Sequence, residues 1–192
     1  LGINNVDDLQ TALDQGKLAG LSGFSEKLQT QIAQSLERGR TKKARRLLAD
    51  VDPIAFELQD YLRAIPGIAK ADVAGSWRRR RETVGDLDAV GASEDPAKAV
   101  DAFTEWPPIA EVVSHGDTRA SVALHSGLAV DFRAVHPENY GAALIYFTGS
   151  RDHQLVLRNM AIDRGWKLNE YALYADPDES SVIASRTEED VY

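Results

Sequence analysis

Gly75–Val90 reads GSWRRRRETVGDLDAV, and its second half decides the architecture. Asp86 and Asp88 alternate with the apolar Leu87 and Ala89, and Val90 continues the run. That is the pattern of a β-strand, whose period of two puts both carboxylates on one face. Taken alone, Asp-x-Asp reads more simply as two solvent-facing acids on an edge strand. The flanks change that reading. Gly75-Ser76 closes the preceding extended run and nine residues intervene before Asp86, so the glycine turn and the aspartates share one end of neighbouring strands. Two close carboxylates repel unless a cation lies between them, and hard oxygen donors suit Mg²⁺ or Mn²⁺. Gly75 and Gly85 let the backbone approach a ligand, while Ser76 and Arg78–Arg81 offer donors to phosphate oxygens. Carboxylates facing a phosphate cradle are what phosphoryl transfer from a nucleoside triphosphate needs.

A two-metal version of that chemistry calls for a third carboxylate on a strand beside the pair. Asp131, within Leu128-Ala129-Val130-Asp131-Phe132-Arg133, fits, because an acid inside an apolar strand is costly without a cation. Asp131 is then the natural group to accept, or to orient the loss of, the proton of an attacking hydroxyl.

Around this centre the punctuation predicts extended runs over 72–77, 87–92, 110–115, 119–125 and 128–135, with hairpin turns at Gly116-Asp117 and Ser126-Gly127. Helices are expected over 6–13, over a second stretch bearing Leu28, Ile32 and Leu36 on one side, and from Pro53 at a helix start to Ala64. Further helices are expected near 96–106, 138–147 and 151–164. The tail from Asp176 is acidic and weakly structured by pattern. The fold class is therefore α+β: a helical module over 1–65, a mixed, mainly antiparallel sheet with helices on one side over 66–136, and a further helical subdomain over 137–192.

The 192 residues contain no cysteine, which excludes disulfides, thiolate zinc sites and a cysteine nucleophile. No apolar run reaches the roughly 20 residues of a membrane helix, and the N-terminus lacks a signal-peptide layout, so a cytoplasmic, membrane-free protein is expected. The net charge of −8 argues at first against nucleic acid. It is unevenly spread, however: residues 1–85 carry 14 Lys and Arg against 11 Asp and Glu, and residues 86–192 carry 8 against 19. Six basic residues crowd Arg38–Arg46. The basic groups gather ahead of Asp86, where a polyanion would meet the site.

The Gly-Ser, nine-residue gap and Asp-x-Asp arrangement resembles that of the nucleotidyltransferase superfamily that includes DNA polymerase β. Tyr146-Phe147-Thr148-Gly149-Ser150 is similar to the deoxynucleotide-pocket motif of family X DNA polymerases. The arginine-rich first motif with Glu82-Thr83, together with WKLNEY over 166–171, resembles the bacterial branch. The resemblance implies DNA-directed synthesis from a dNTP on gapped DNA in base excision repair, with two divalent ions, Mg²⁺ or Mn²⁺. It implies metal binding by Asp86, Asp88 and Asp131. It implies phosphate contacts from Ser76, Arg79, Gly85 and Arg46, a sugar-facing segment at Tyr146, Phe147 and Gly149, a minor-groove role for Gln154 and a template contact from Arg158. The N-terminal turn resembles a helix-hairpin-helix element, which places Gly23, Ser25 and Lys27 at a DNA backbone. An ordinary packing unit fits that turn equally well, since Ser25 stands where glycine is usual.

Two departures from the family pattern bear on efficiency: Val84 replaces a phosphate-assisting serine, and Ala129 replaces an arginine near the third aspartate. The resemblance further implies a monomeric fragment lacking a preceding lyase module and a following phosphoesterase domain. A nucleotidyltransferase acting on RNA or a small molecule, and a catalytically silent DNA-binding module, remain as alternatives.

Overall fold

The computed structural model of the chain describes residues 3, 6–18, 21, 24–25, 28–30, 32–33 and 45–192. The chain divides into two compact units, 1–43 and 44–192. In the first, α1 (Val6–Asp14) buries Ala12, and Leu18 is buried after the turn that follows it. Ser25 accepts a hydrogen bond from the Leu28 backbone N–H at 3.2 Å, and the Gln29 side chain donates to the Phe24 carbonyl at 2.9 Å. Gly23, Lys27 and most of the Arg38–Arg46 basic run lie outside the described residues.

The second unit is built on five strands in the order β2 (Ile68–Val73), β4 (Asp86–Ser93), β7 (Ala129–Val135), β6 (Arg119–Leu124) and β5 (Ile109–Gly116), and a separate antiparallel pair joins β1 (Arg46–Leu47) to β3 (Thr83–Val84). All neighbours are antiparallel except β4 and β7, which run parallel, so the sheet is mixed and mainly antiparallel. Alternation fills one face with Leu87, Ala89, Val130 and Phe132. Against them pack Val51, Ala55, Leu58 and Leu62 of α2 (Leu48–Ala64) and Ala99, Val100 and Phe103 of α4 (Pro96–Thr104). The ring centroids of Phe103 and Phe132 are 4.9 Å apart. Burial of the Val, Leu and Phe side chains among these, at about 1.5–3 kcal/mol each, supplies the gross drive for this layer. Helix α2 therefore shares the core of the sheet, although the sequence groups its residues with the helical module.

On the opposite face, Val90, Ala92 and Val135 pack against Tyr140, Ala143 and Leu144 of α5 (Tyr140–Thr148). That packing leaves the end of the face nearest Asp86 open. Past α6 (Arg151–Ile162), the short strands β8 (Lys167–Leu168), β9 (Leu173–Tyr174) and β10 (Val182–Ala184) form a three-stranded antiparallel sheet, and α7 (Glu188–Val191) follows.

Three local expectations need correction. The strand expected to run to Trp77 ends at Val73, and Gly75–Arg78 form a helical turn, α3, entered through Gly75 at φ +60°. Pro53 lies inside α2 rather than at its start: the helix begins at Leu48, whose N–H bonds the Glu82 carbonyl at 3.0 Å. The tail is ordered as β10 and α7, because elements of two to four residues leave no periodic trace in a sequence.

Candidate active site

The site forms where β4, β7 and β6 lie side by side. Asp88 stands opposite Asp131 in the parallel register, and Asp131 stands opposite Ser121 in the antiparallel one. Asp86 is two residues before Asp88 on the same face. Period two thus gathers three carboxylates from two strands that 35 residues separate in sequence. The Ser121 hydroxyl donates to Asp131 Oδ1. Burial, and then the charges of Asp86 and Asp131, push the Asp88 carboxyl up to about 7, with Arg79 pulling it back.

As donors, these three carboxylates match a hard divalent cation; Asp88 is raised first by its burial and then by the charges of Asp86 and Asp131, both of which such a cation would offset. Among the described residues, no three acidic or imidazole groups are drawn together closely enough to hold an ion. The strands supply the donor set, and its oxygens are not gathered into a ligand shell.

Gly75 sits hard against this cluster. A β-carbon there would lie 2.1 Å from Asp88 Oδ2, and the adjacent Ala74 N–H donates to the Asp88 carbonyl at 2.7 Å. Ser76 follows on the same turn; its hydroxyl has no protein partner among the described residues. Gly85 lies against Arg45, whose Nη1 would be 3.3 Å from a β-carbon on it.

The four consecutive arginines separate into different tasks. Arg78 forks onto Glu188 at 2.6 and 2.7 Å and also donates to Thr148 Oγ1 at 2.9 Å. Arg80 forks onto Asp52 at 2.9 and 3.1 Å. Asp52 also accepts from the Trp77 indole at 2.7 Å, and its carboxyl lies below the ordinary range, chiefly through Arg80. Arg79 donates to the Thr148 carbonyl beside Gly149, and Arg81 has no side-chain partner among the described residues. Arg79 and Arg81 line a polar cavity of about 470 Å³ with Arg45, Arg80, Glu82 and Thr83. Arg45 was not singled out by the sequence reading, since nothing local distinguishes it from its basic neighbours. Arg46 is spent within the protein, donating to the Ser126 carbonyl.

Phe147 closes the aspartate side. A cavity of about 240 Å³ is lined by Asp88, Asp131, Ser121, Arg119, Arg133 and Phe147, and the Arg133 guanidinium lies 5.5 Å from the Phe147 ring centre. Ser121, Arg119 and Arg133 were also missed, and alternation in RASVAL and AVDFRAV puts them on this face only once the strand pairing is known. A larger cavity of about 530 Å³ is lined by Tyr146, Gly149, Gln154, Leu155, Arg158 and residues between them, with Arg158 5.6 Å over the Tyr146 ring. Gln154 points inward, its amide donating to the Ile145 and Tyr146 carbonyls at 2.6 and 3.2 Å, so it completes the C-terminus of α5.

Known proteins resemble this chain in sequence and in fold. The family described as DNA polymerase beta thumb matches residues 143–192. The DNA polymerase/3'-5' exonuclease PolX of Bacillus subtilis (strain 168) is 37% identical over 175 residues, which are 90% of this chain and 31% of that protein. The chain thus spans about a third of the length of that relative. Among solved structures, the polymerase beta of Leishmania infantum, described as a ternary P/T complex, superposes with a TM-score of 0.68 over 99% of this chain and 84% of that one. It is 19% identical, so it speaks for the fold alone.

Proposed function

We propose that this chain, a relative of the family X DNA polymerases, is a polymerase core that transfers a nucleotidyl group from a dNTP to a primer 3′-hydroxyl on gapped DNA. The observation that carries the reading is the register of Asp88 against Asp131, with Asp86 on the same face and the Gly75 backbone pressed against Asp88. Asp86, Asp88 and Asp131 would hold Mg²⁺ or Mn²⁺. Such a cation, when bound, neutralises charge at the phosphates and acidifies a bound hydroxyl. The chain's own residues do the rest. Ser76 and Arg79, with the backbone at Gly75 and Gly85, orient the triphosphate. Arg45 and Arg81 extend the same cationic wall. Asp131 receives or orients the proton leaving the 3′-hydroxyl. Tyr146, Phe147 and Gly149 flank the sugar, and Arg158 lies on the side where a template strand would pass.

The expected setting is repair synthesis in the cytoplasm by a monomer, with DNA affinity that is weak and falls with salt, since few basic side chains among the described residues are free to meet phosphates. Ser25, Gly23 and Lys27 supply the backbone contact of the helical module in this reading. Primer extension on a one-nucleotide gap tests it. The wild-type chain is expected to add one dNTP with Mg²⁺ or Mn²⁺, whereas Asp86→Ala and Asp131→Ala lose addition by more than about a thousandfold with unchanged circular dichroism. Extension by either variant at the wild-type rate rejects the assignment.

A further inference from the structure

Asp131 is exposed, and its carboxylate swings on a soft terminal torsion unless a donor pins it. Its own strand offers none. On the same face, Ala129 carries no donor, and the Arg133 guanidinium lies over Phe147 and reaches Thr118 Oγ1 at 3.4 Å. The hydrogen bond comes instead across the sheet, from the half-buried Ser121 on β6, directly opposite Asp131 in the antiparallel register. Asp131 Oδ2 keeps no partner among the described residues.

We propose that Ser121 is a positioning residue for Asp131: it fixes the carboxylate plane through Oδ1 and leaves Oδ2 for the reacting centre. The inference rests on the role assigned to Asp131 above. A neutral donor in this place orients the carboxylate without cancelling its charge, which an arginine beside it would do. The side chain is short, and its strand is held by the neighbouring Ala120 and Val122, which are buried in the core on the other face of the sheet, so the register of β6 on β7 fixes the hydroxyl rather than a flexible side chain.

The test uses the 192-residue chain with Ser121→Ala, Ser121→Thr and Asp131→Ala, and two readouts: Mn²⁺ binding by electron paramagnetic resonance and single-nucleotide addition. Ser121→Ala is expected to weaken Mn²⁺ binding and lower kcat by about 10- to 100-fold, the range for loss of a group that orients a metal ligand. Its KM for dNTP stays within about twofold, because ground-state nucleotide binding does not pass through Ser121. Ser121→Thr keeps the hydroxyl and is expected to recover both readouts. Asp131→Ala binding Mn²⁺ like the wild type overturns the parent assignment and this inference with it. Asp131→Ala impaired while Ser121→Ala matches the wild type overturns this inference alone. Ser121→Thr as impaired as Ser121→Ala also overturns it, since packing rather than the hydroxyl would then be at work.

Discussion

Gly75 and Asp88 occupy space that admits no side chain on the glycine: a β-carbon at residue 75 would stand 2.1 Å from Asp88 Oδ2, and Gly75 also holds φ at +60°. The two constraints are independent. One is steric and aimed at the carboxylate; the other is conformational and sets the angle at which α3 leaves β2.

Gly75→Ala is therefore expected to destabilise the chain by more than about 1 kcal/mol from backbone strain alone, and to displace Asp88. Nucleotide addition should fall together with Mn²⁺ affinity. Full activity at an unchanged urea midpoint would show that the close approach is not needed.

The carboxyl of Asp88 gives a pH signature. Its value rises from an ordinary 3.8 to about 7 in the folded chain, first through burial and then through Asp86 and Asp131. The folded state then holds the proton more tightly than the unfolded state. The associated stability is complete below pH 4 and is lost as pH rises through about 7. Without divalent cation, wild-type stability should decline relative to Asp88→Asn across this window, by on the order of 2 kcal/mol. Thermal melts of both proteins from pH 4 to 8 check it, and a parallel pH dependence in the two refutes it. Mn²⁺ added at pH 8 should raise the wild-type melting temperature more than that of Asp88→Asn.

Arg78 ties the turn behind the site to the end of the chain through its paired bonds to Glu188 and a third to Thr148. Arg78→Ala leaves the Glu188 carboxylate, half-buried, without its partner. A loss of about 1–3 kcal/mol in urea unfolding is expected. Arg78→Lys keeps the charge but not the fork and should fall between.

Arg79 touches the loop at Gly149 and faces the cavity that Arg45 and Arg81 line. Arg79→Ala is expected to raise the KM for dNTP by about 10- to 100-fold, the worth of one or two charge-assisted bonds, with little change in melting temperature because the side chain is exposed. A drop in stability with unchanged KM would assign Arg79 to the fold instead.

Much of the fold was legible because it is written locally. Alternation in Asp86–Ser93 and Ala129–Val135, the turns at Gly116 and Gly127, and the helical spacing over 53–64 all depend on residues a few positions apart. The same alternation put Asp86 and Asp88 on one face before any pairing was known. The sequence misread Trp77 as strand and Pro53 as a helix start, because a single glycine at positive φ and an upstream turn of helix leave no periodic mark.

Local pattern was thus enough for the α+β class and for the strand that carries Asp86 and Asp88. What those residues meet follows from how distant strands pair. The parallel pairing of β4 with β7 sets Asp88 against Asp131 and, through β6, gives Asp131 its donor in Ser121. Four consecutive arginines, alike in sequence, become an anchor for Glu188, a support at Thr148, a clamp on Asp52 and a side chain that has no partner among the described residues. The reason is physical. Periodicity fixes which way a side chain faces, whereas its partners are set by the register between strands distant in sequence, which no local pattern encodes.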